Sequence, residues 1–227
     1  LESRKRKMLW IEAVRTLSAD LEDPFELEFV WRNLHELDKL SWLNLMREKI
    51  TDQELKLLTK VSERLHQNEP PQYIVGWAEF RDLKLKVDER VLIPRPETEE
   101  LVEMILAENE KDSLKILDIG TGSGAIAISL AQARENWSVK ASDISKEALT
   151  LAAENAEINQ ANLEFIQSDV LDKITDSFDI IVSNPPYIAF EETYYDLAKL
   201  LQKPLRKGPN TREQVVILEK FEEIMEG

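Results

Sequence analysis

Two short stretches carry residue types that could do chemistry. Ser183-Asn184-Pro185-Pro186-Tyr187 sets a polar amide beside two prolines and an aromatic ring, directly after the apolar run Phe178-Asp179-Ile180-Ile181-Val182. Consecutive prolines fix φ and supply no N–H, so Asn184 and the carbonyls beside it are expected to form a preorganised acceptor site. By itself Asn-Pro-Pro reads equally as loop punctuation. The second stretch, Ile116-Leu117-Asp118-Ile119-Gly120-Thr121-Gly122-Ser123-Gly124, ends another apolar run in alternate glycines and then opens a helical pattern. Glycines let the backbone pass close to a ligand, and a helix amino terminus offers unpaired N–H groups to it.

Two cofactor classes use that device. Read as Gly120-x-Gly122-x-x-Ala125, the loop satisfies a dinucleotide fingerprint, with Asp143 near the distance at which an acid would bind the ribose diol. Read as Asp-x-Gly-x-Gly-x-Gly, it satisfies the loop of class I methyltransferases, where S-adenosylmethionine lies over Gly120, Thr121, Gly122, Ser123 and Gly124 and the same Asp143 takes the ribose hydroxyls. Asp118 favours the second reading, because a carboxylate is unwelcome beside a pyrophosphate but can serve the cationic methionine end of a sulfonium cofactor. So does the strand that ends in Asn-Pro-Pro-Tyr, for which a dehydrogenase has no need. Asp169, with Val170 beside it, is a candidate for the adenine amino group, or else a solvated loop residue.

To place these groups the chain needs an open α/β sheet, whose ligands bind outside the carboxyl ends of the strands. Alternation supplies one: strands over 115–119, 138–141, 163–166 and 178–182, and helices over 125–134 and 146–158, predict a parallel sheet covered on both faces by helices. Ahead of it, residues 1–68 show helical spacing throughout. One stripe is Leu27, Val30, Trp31 and Leu34 after Asp23-Pro24; another is Leu55, Leu58, Val61 and Leu65, opened by Thr51 with Glu54 as a capping box. Residues 69–93 read as a linker with a β-hairpin, using β-prone runs at Tyr73–Val75 and Leu83–Val87. Residues 94–190 form the methyltransferase domain. It opens on Leu92-Ile93-Pro94-Arg95-Pro96-Glu97-Thr98-Glu99, a rigid turn before a helix with Leu101, Val102, Ile105 and Leu106 on one side.

Composition narrows the function further. The 227 residues contain no cysteine, which removes disulfide, zinc-thiolate and cysteine-nucleophile chemistry and points to the cytoplasm. His35 and His66 are the sole imidazoles, both far in sequence from Asn184, so a histidine triad and a metal site are not expected. A formal net charge of −15 argues against a general nucleic-acid binder, and no apolar run is long enough to span a bilayer. The first residue is Leu rather than Met, as expected of a trimmed or partial chain.

The glycine loop followed by Asn-Pro-Pro-Tyr resembles the amino-methyltransferases that alkylate planar nitrogens. The added stretches Gln72-Tyr73-Ile74-Val75-Gly76, Arg90 to Glu99 and Ser183 to Ile188 resemble one family within that group, the HemK/PrmC glutamine methyltransferases of peptide chain release factors. The resemblance implies a helical domain that docks the release factor, S-adenosylmethionine as cofactor, and methyl transfer to the glutamine amide of a Gly-Gly-Gln loop. It also implies that Asn184 and the Pro185 carbonyl accept the two amide N–H groups, with Asn184 also at the cofactor, while Pro186 and Tyr187 complete the substrate loop and Tyr187 packs on the flat amide. A monomer without direct nucleic-acid contact is expected. The alternatives are a DNA or RNA adenine amino-methyltransferase and a truncated, inactive cofactor-binding protein.

After Ile188 the resemblance ends. Residues 191–202 and 213–225 read as two helices of a non-matching tail, separated by a turn-rich stretch, which leaves a four-stranded sheet with an unpaired edge and the family's closing strands missing.

Overall fold

The structure is a computed structural model that describes residues 8–184 and the strand residues Gln214–Val216. It divides into two compact units, Leu1–Gly76 and Trp77–Gly227.

The first unit is built from α1 (Trp10–Leu17), α2 (Phe25–Leu34), α3 (Lys39–Leu45), α4 (Asp52–His66) and α5 (Pro71–Val75). Its core gathers Trp10, Leu27, Val30, Trp31, Trp42, Leu58, Val61 and Leu65, with the Trp10 and Trp31 rings 5.1 Å apart. Leu55 packs against this core, whereas Leu34 at the end of its stripe is 45% exposed. The capping box forms: Glu54 N–H donates to Thr51 Oγ1 at 3.2 Å, and Thr51 N–H donates to Glu54 Oε2 at 2.8 Å. The expected β-prone run Tyr73–Val75 is instead the helix α5. Pro71 occupies a first-turn position, which favours a helix start, and Gly76 closes it in the left-handed region at φ 87.

The second unit opens with an antiparallel hairpin, β1 (Trp77–Phe80) and β2 (Leu83–Lys86), followed by α6 (Pro96–Glu108). Then come β3 (Lys115–Ile119), α7 (Ala125–Ala133), β4 (Ser138–Asp143), α8 (Lys146–Ile158), β5 (Glu164–Gln167), β6 (Ile180–Ser183) and β7 (Gln214–Val216). The five strands β3 to β7 form one parallel sheet in the order β5-β4-β3-β6-β7. The chain winds outward from β3 to β5 and then returns to β3's other side, so the order reverses between β3 and β6. Such a switch opens a crevice at the carboxyl ends of the strands.

Helices cover one face of this sheet among the described residues. Ile116, Ile180, Val182 and Val139 face Leu101, Val102 and Ile105 of α6, Ile126 and Leu130 of α7, and Phe80 and Leu85 of the hairpin. Each fully buried aliphatic side chain here contributes about 1.5–3 kcal/mol. The opposite face, with Leu117, Ile119 and Ile181, is packed by Val170, Leu171, Ile174 and Phe178. Those four belong to the connection between β5 and β6, which contains no helix, so among the described residues apolar loop side chains line the second face; residues 185–213, from which further helical cover would come, lie outside the described ones.

The tail also differs from expectation. Gln214–Val216, inside the stretch read as helix, is the strand β7 paired in parallel with β6, so that edge of the four-stranded core has a neighbour. A short β-branched run fits strand and helix patterns alike, and pairing to an apolar edge decides between them. The expected helix over 191–202 and the remainder of the tail lie outside the described residues.

Candidate functional site

Register brings the singled-out residues into one row. Ile119 of β3 pairs with Ser142 of β4 and with Ser183 of β6. The next residue on each strand is Gly120, Asp143 and Asn184, so all three stand level at the carboxyl edge, flanking the switch between β3 and β6. Ser183 Oγ donates to the Ile119 carbonyl at 2.8 Å, which fixes the end of β6 against β3.

The glycine loop is held from several sides. Gly120 and Thr121 donate their N–H groups to the Ser142 carbonyl at 2.8 and 2.9 Å, and Gly122 N–H donates to Asp143 Oδ2 at 3.0 Å. Asp143 Oδ1 accepts from Ser145 N–H at 2.9 Å. Each of these oxygens keeps a second lone pair, so Asp143 can still take a ribose hydroxyl. Gly120 and Gly122 have φ of +70 and +54, and a Cβ built on either would enter open space above the loop. Gly124 differs: at φ +83 its Cβ would stand 2.9 Å from Ile128 Cδ1 and 3.3 Å from Ala152 Cβ, so its bareness serves the packing of α7 on α8.

Asp118 lies beneath the loop, 1% exposed. Its Oδ2 accepts from Thr121 Oγ1 at 2.6 Å, while Oδ1 is left without a well-formed hydrogen bond. Burial pushes its pKa up to about 7, against the lowering pull of the Thr121 hydroxyl and the nearby Ala127 amide, and the Asp143 charge adds to the rise. A buried carboxyl with an orphaned oxygen beneath an open glycine loop suits a cationic ligand group. Together with the room above Gly120 and Gly122, it makes these residues fit S-adenosylmethionine.

Asn184, on the acceptor side, is half-buried, and its Nδ2 donates to Thr98 Oγ1 at 2.8 Å. Thr98 is buried in the first turn of α6, after Arg95 and Pro96. Pro185, Pro186 and Tyr187 lie outside the described residues. Asp169 is exposed one residue past Ser168, whose N–H donates to the Asp143 carbonyl at 3.1 Å. Val170 packs on the lower sheet face at φ 45, a strained conformation for a β-branched residue.

Two residues that sequence reasoning passed over support the row. Asn155 of α8, fully buried, accepts from Lys86 N–H at 2.6 Å and donates to the Lys86 and Ser123 carbonyls at 3.0 and 2.9 Å. It ties the hairpin to the glycine loop, and a side chain that bonds distant backbone leaves no sequence pattern. Thr98 is the other, and its signal was its place inside the Pro96–Glu99 turn. An open polar groove bounded by Trp137, Asn159 and Glu164 lies toward the amino ends of β4 and β5 and holds none of the residues singled out above.

Comparison with known proteins finds relatives for both units. Residues 9–76 match the PrmC N-terminal domain, and residues 97–207 match the methyltransferase small domain. The release factor glutamine methyltransferase of Lactococcus lactis subsp. lactis (strain IL1403) is 98% identical over 187 residues, which are 82% of this chain and 69% of that protein. The release factor glutamine methyltransferase of Streptococcus pneumoniae (strain ATCC BAA-255 / R6) is 49% identical over 172 residues, 75% of this chain and 62% of its own length. Among solved structures, the ribosomal protein L11 methylase of Lactobacillus delbrueckii subsp. bulgaricus is 28% identical, with a TM-score of 0.45 over 62% of this chain and 68% of that one. With both domain models in chain order and a near-identical relative covered over more than two thirds of its length, the chain belongs to the release factor glutamine methyltransferase family.

Proposed function

We propose that this chain methylates the side-chain amide nitrogen of the glutamine in the Gly-Gly-Gln loop of peptide chain release factors. The observation that carries the reading is the level row Gly120, Asp143 and Asn184, which sets a cofactor loop and an amide acceptor on adjacent strand ends.

Bound over the glycine loop, S-adenosylmethionine would supply an electrophilic methyl group, whose bond to sulfur breaks as the amide nitrogen forms its new N–C bond. Gly120, Gly122 and Asp143 would hold the cofactor, and Asp118 would answer its positive charge. Asn184 Oδ1 accepts one N–H of the glutamine amide and Pro185 the other, by family resemblance, which aims the nitrogen. An amide lone pair is delocalised, so alignment carries the rate; well-oriented systems gain up to roughly 7–11 kcal/mol this way. No strong base is needed, because the nitrogen loses its proton to water after it is alkylated. By the same resemblance Tyr187 would complete the substrate loop and limit water at the amide. The unit at residues 1–76 docks the release factor.

On the same reading the chain is a cytoplasmic monomer without direct nucleic-acid contact, and its net charge of −15 supports the last of these. No described helix is long and apolar enough to cross a membrane. The test is mass spectrometry of a Gly-Gly-Gln peptide and of an intact release factor incubated with the chain and S-adenosylmethionine. One added methyl on that glutamine is expected; methylation of adenine in DNA or RNA instead would refute the assignment.

A further inference from the structure

An asparagine side chain has two nearly isosteric ends with opposite hydrogen-bond sense. Oδ1 accepts, Nδ2 donates, and a half-turn about χ2 exchanges them. Whichever end faces the reacting group decides what Asn184 can read. With Oδ1 outward it selects a group that carries N–H; with Nδ2 outward it selects a carbonyl or carboxylate. Glutamine and glutamate tips are nearly isosteric and differ in charge and in this hydrogen-bond sense, so the orientation of Asn184 is a specificity element.

The structure assigns that orientation to Thr98: we propose that the buried Thr98 hydroxyl, by taking Asn184 Nδ2, is the positioning residue that makes the site read an amide rather than an acid. The 2.8 Å bond joins residues 86 positions apart. Thr98 is 6% exposed. Its backbone is anchored as well: Pro96 stands in the first turn of α6, and Thr98 N–H donates to the Arg95 carbonyl at 3.0 Å. The next residue, Glu99, turns to the hairpin and accepts from Arg81 N–H at 2.9 Å through Oε1, while Arg81 Nη2 reaches Glu103 Oε1 at 2.6 Å. The start of α6 is therefore a bracket between the hairpin turn and the acceptor asparagine. This gives the Pro94-to-Glu99 stretch a physical role. A buried hydroxyl on a proline-fixed helix start makes a better reference point than one on a mobile loop, because little conformational freedom is left to lose in holding Asn184.

The inference rests on the proposed role of Asn184 in amide methylation, and its test separates the two. The direct arm needs no turnover. In 15N-labelled protein, the Asn184 side-chain amide pair is the one that vanishes in Asn184→Ala. It should exchange its hydrogens slowly in the wild type and in Thr98→Ser, which keeps the hydroxyl, and at least tenfold faster in Thr98→Val, which is isosteric and lacks it. Thr98→Ala serves as a second deletion of the hydroxyl should the valine variant not fold. The specificity arm measures binding of Gly-Gly-Gln and Gly-Gly-Glu peptides in the presence of S-adenosylhomocysteine. Thr98→Val should narrow the preference for glutamine about tenfold, the worth of one hydrogen bond at the upper end of its usual range. It should leave S-adenosylhomocysteine affinity unchanged, and Thr98→Ser should restore the preference. An Asn184 amide pair with the same exchange in wild type and Thr98→Val overturns the positioning role, as does an unchanged glutamine preference. If Asn184→Ala itself leaves the preference and methylation intact, the role of Asn184 falls instead, whatever Thr98 does.

Discussion

The two ends of the site are held in different ways. On the cofactor side, the glycine loop is tied by Ser142, Asp143 and Asn155, and both Asp143 oxygens are engaged before any ligand arrives. On the acceptor side, the described contact of the Asn184 side chain is the single bond to Thr98. The loop is a network in which each member holds the others, whereas among the described residues the acceptor side chain is held by one hydroxyl. Substitutions near the loop should therefore register in stability and cofactor affinity, and substitutions near Asn184 in transfer and selectivity.

The largest expected effect tests the loop's internal cost. Asp118 is pushed up to about 7 chiefly by burial, far above its unfolded value of about 3.9. Between these values the folded state binds more protons than the unfolded state. The stability from Asp118 is thus fully present below the unfolded pKa and is lost as pH rises through about 7, a swing on the order of 4 kcal/mol. Thermal melts of the cofactor-free protein should show Asp118→Asn gaining stability over the wild type from pH 5 to pH 8. The same variant should bind the sulfonium cofactor more weakly at pH 8. A melting difference independent of pH would contradict the buried-carboxyl account.

Asn155→Ala should follow, since it leaves the Lys86 amide and the Lys86 and Ser123 carbonyls without their partner. About 3 kcal/mol of unfolding free energy should be lost in urea titration, with a weaker cofactor complex because Ser123 is released. A variant of unchanged stability would show that the network is not closed through α8.

The glycines give the finest comparison. Gly122→Ala and Gly124→Ala both force a side chain to positive φ, at about 1–2 kcal/mol each. At Gly124 the new methyl also meets Ile128, so the change should appear mainly as lost stability. At Gly122 it enters the open space above the loop, so cofactor affinity, read by isothermal calorimetry, should fall more steeply than stability does. Equal effects of both changes on both readouts would erase the distinction.

Much of this was legible in the sequence because strand and helix periods are local. The runs at 115–119, 125–134 and 146–158 correspond to β3, α7 and α8 within a residue, and alternate glycines after a buried strand mark the loop without any contact being known. What was not legible came from partners far along the chain. Asn155 reaches Lys86 and Ser123, and Thr98 reaches Asn184, through side-chain bonds that no periodicity announces. Tyr73–Val75 misled because its β-prone residues follow a proline at a helix start, and Gln214–Val216 because a short apolar run takes its form from the strand it meets. Val170, Leu171 and Ile174 add a further contact of this kind, packing on the second sheet face from a connection that forms no helix.

The central claim is that cofactor binding and amide orientation are separable along the row. The most direct measurement takes Asn184→Ala, titrates it with S-adenosylhomocysteine by calorimetry, and follows methyl transfer to a Gly-Gly-Gln peptide by mass spectrometry. Affinity within a fewfold of the wild type together with loss of glutamine methylation is the predicted result. Full methylation by the variant would contradict the account.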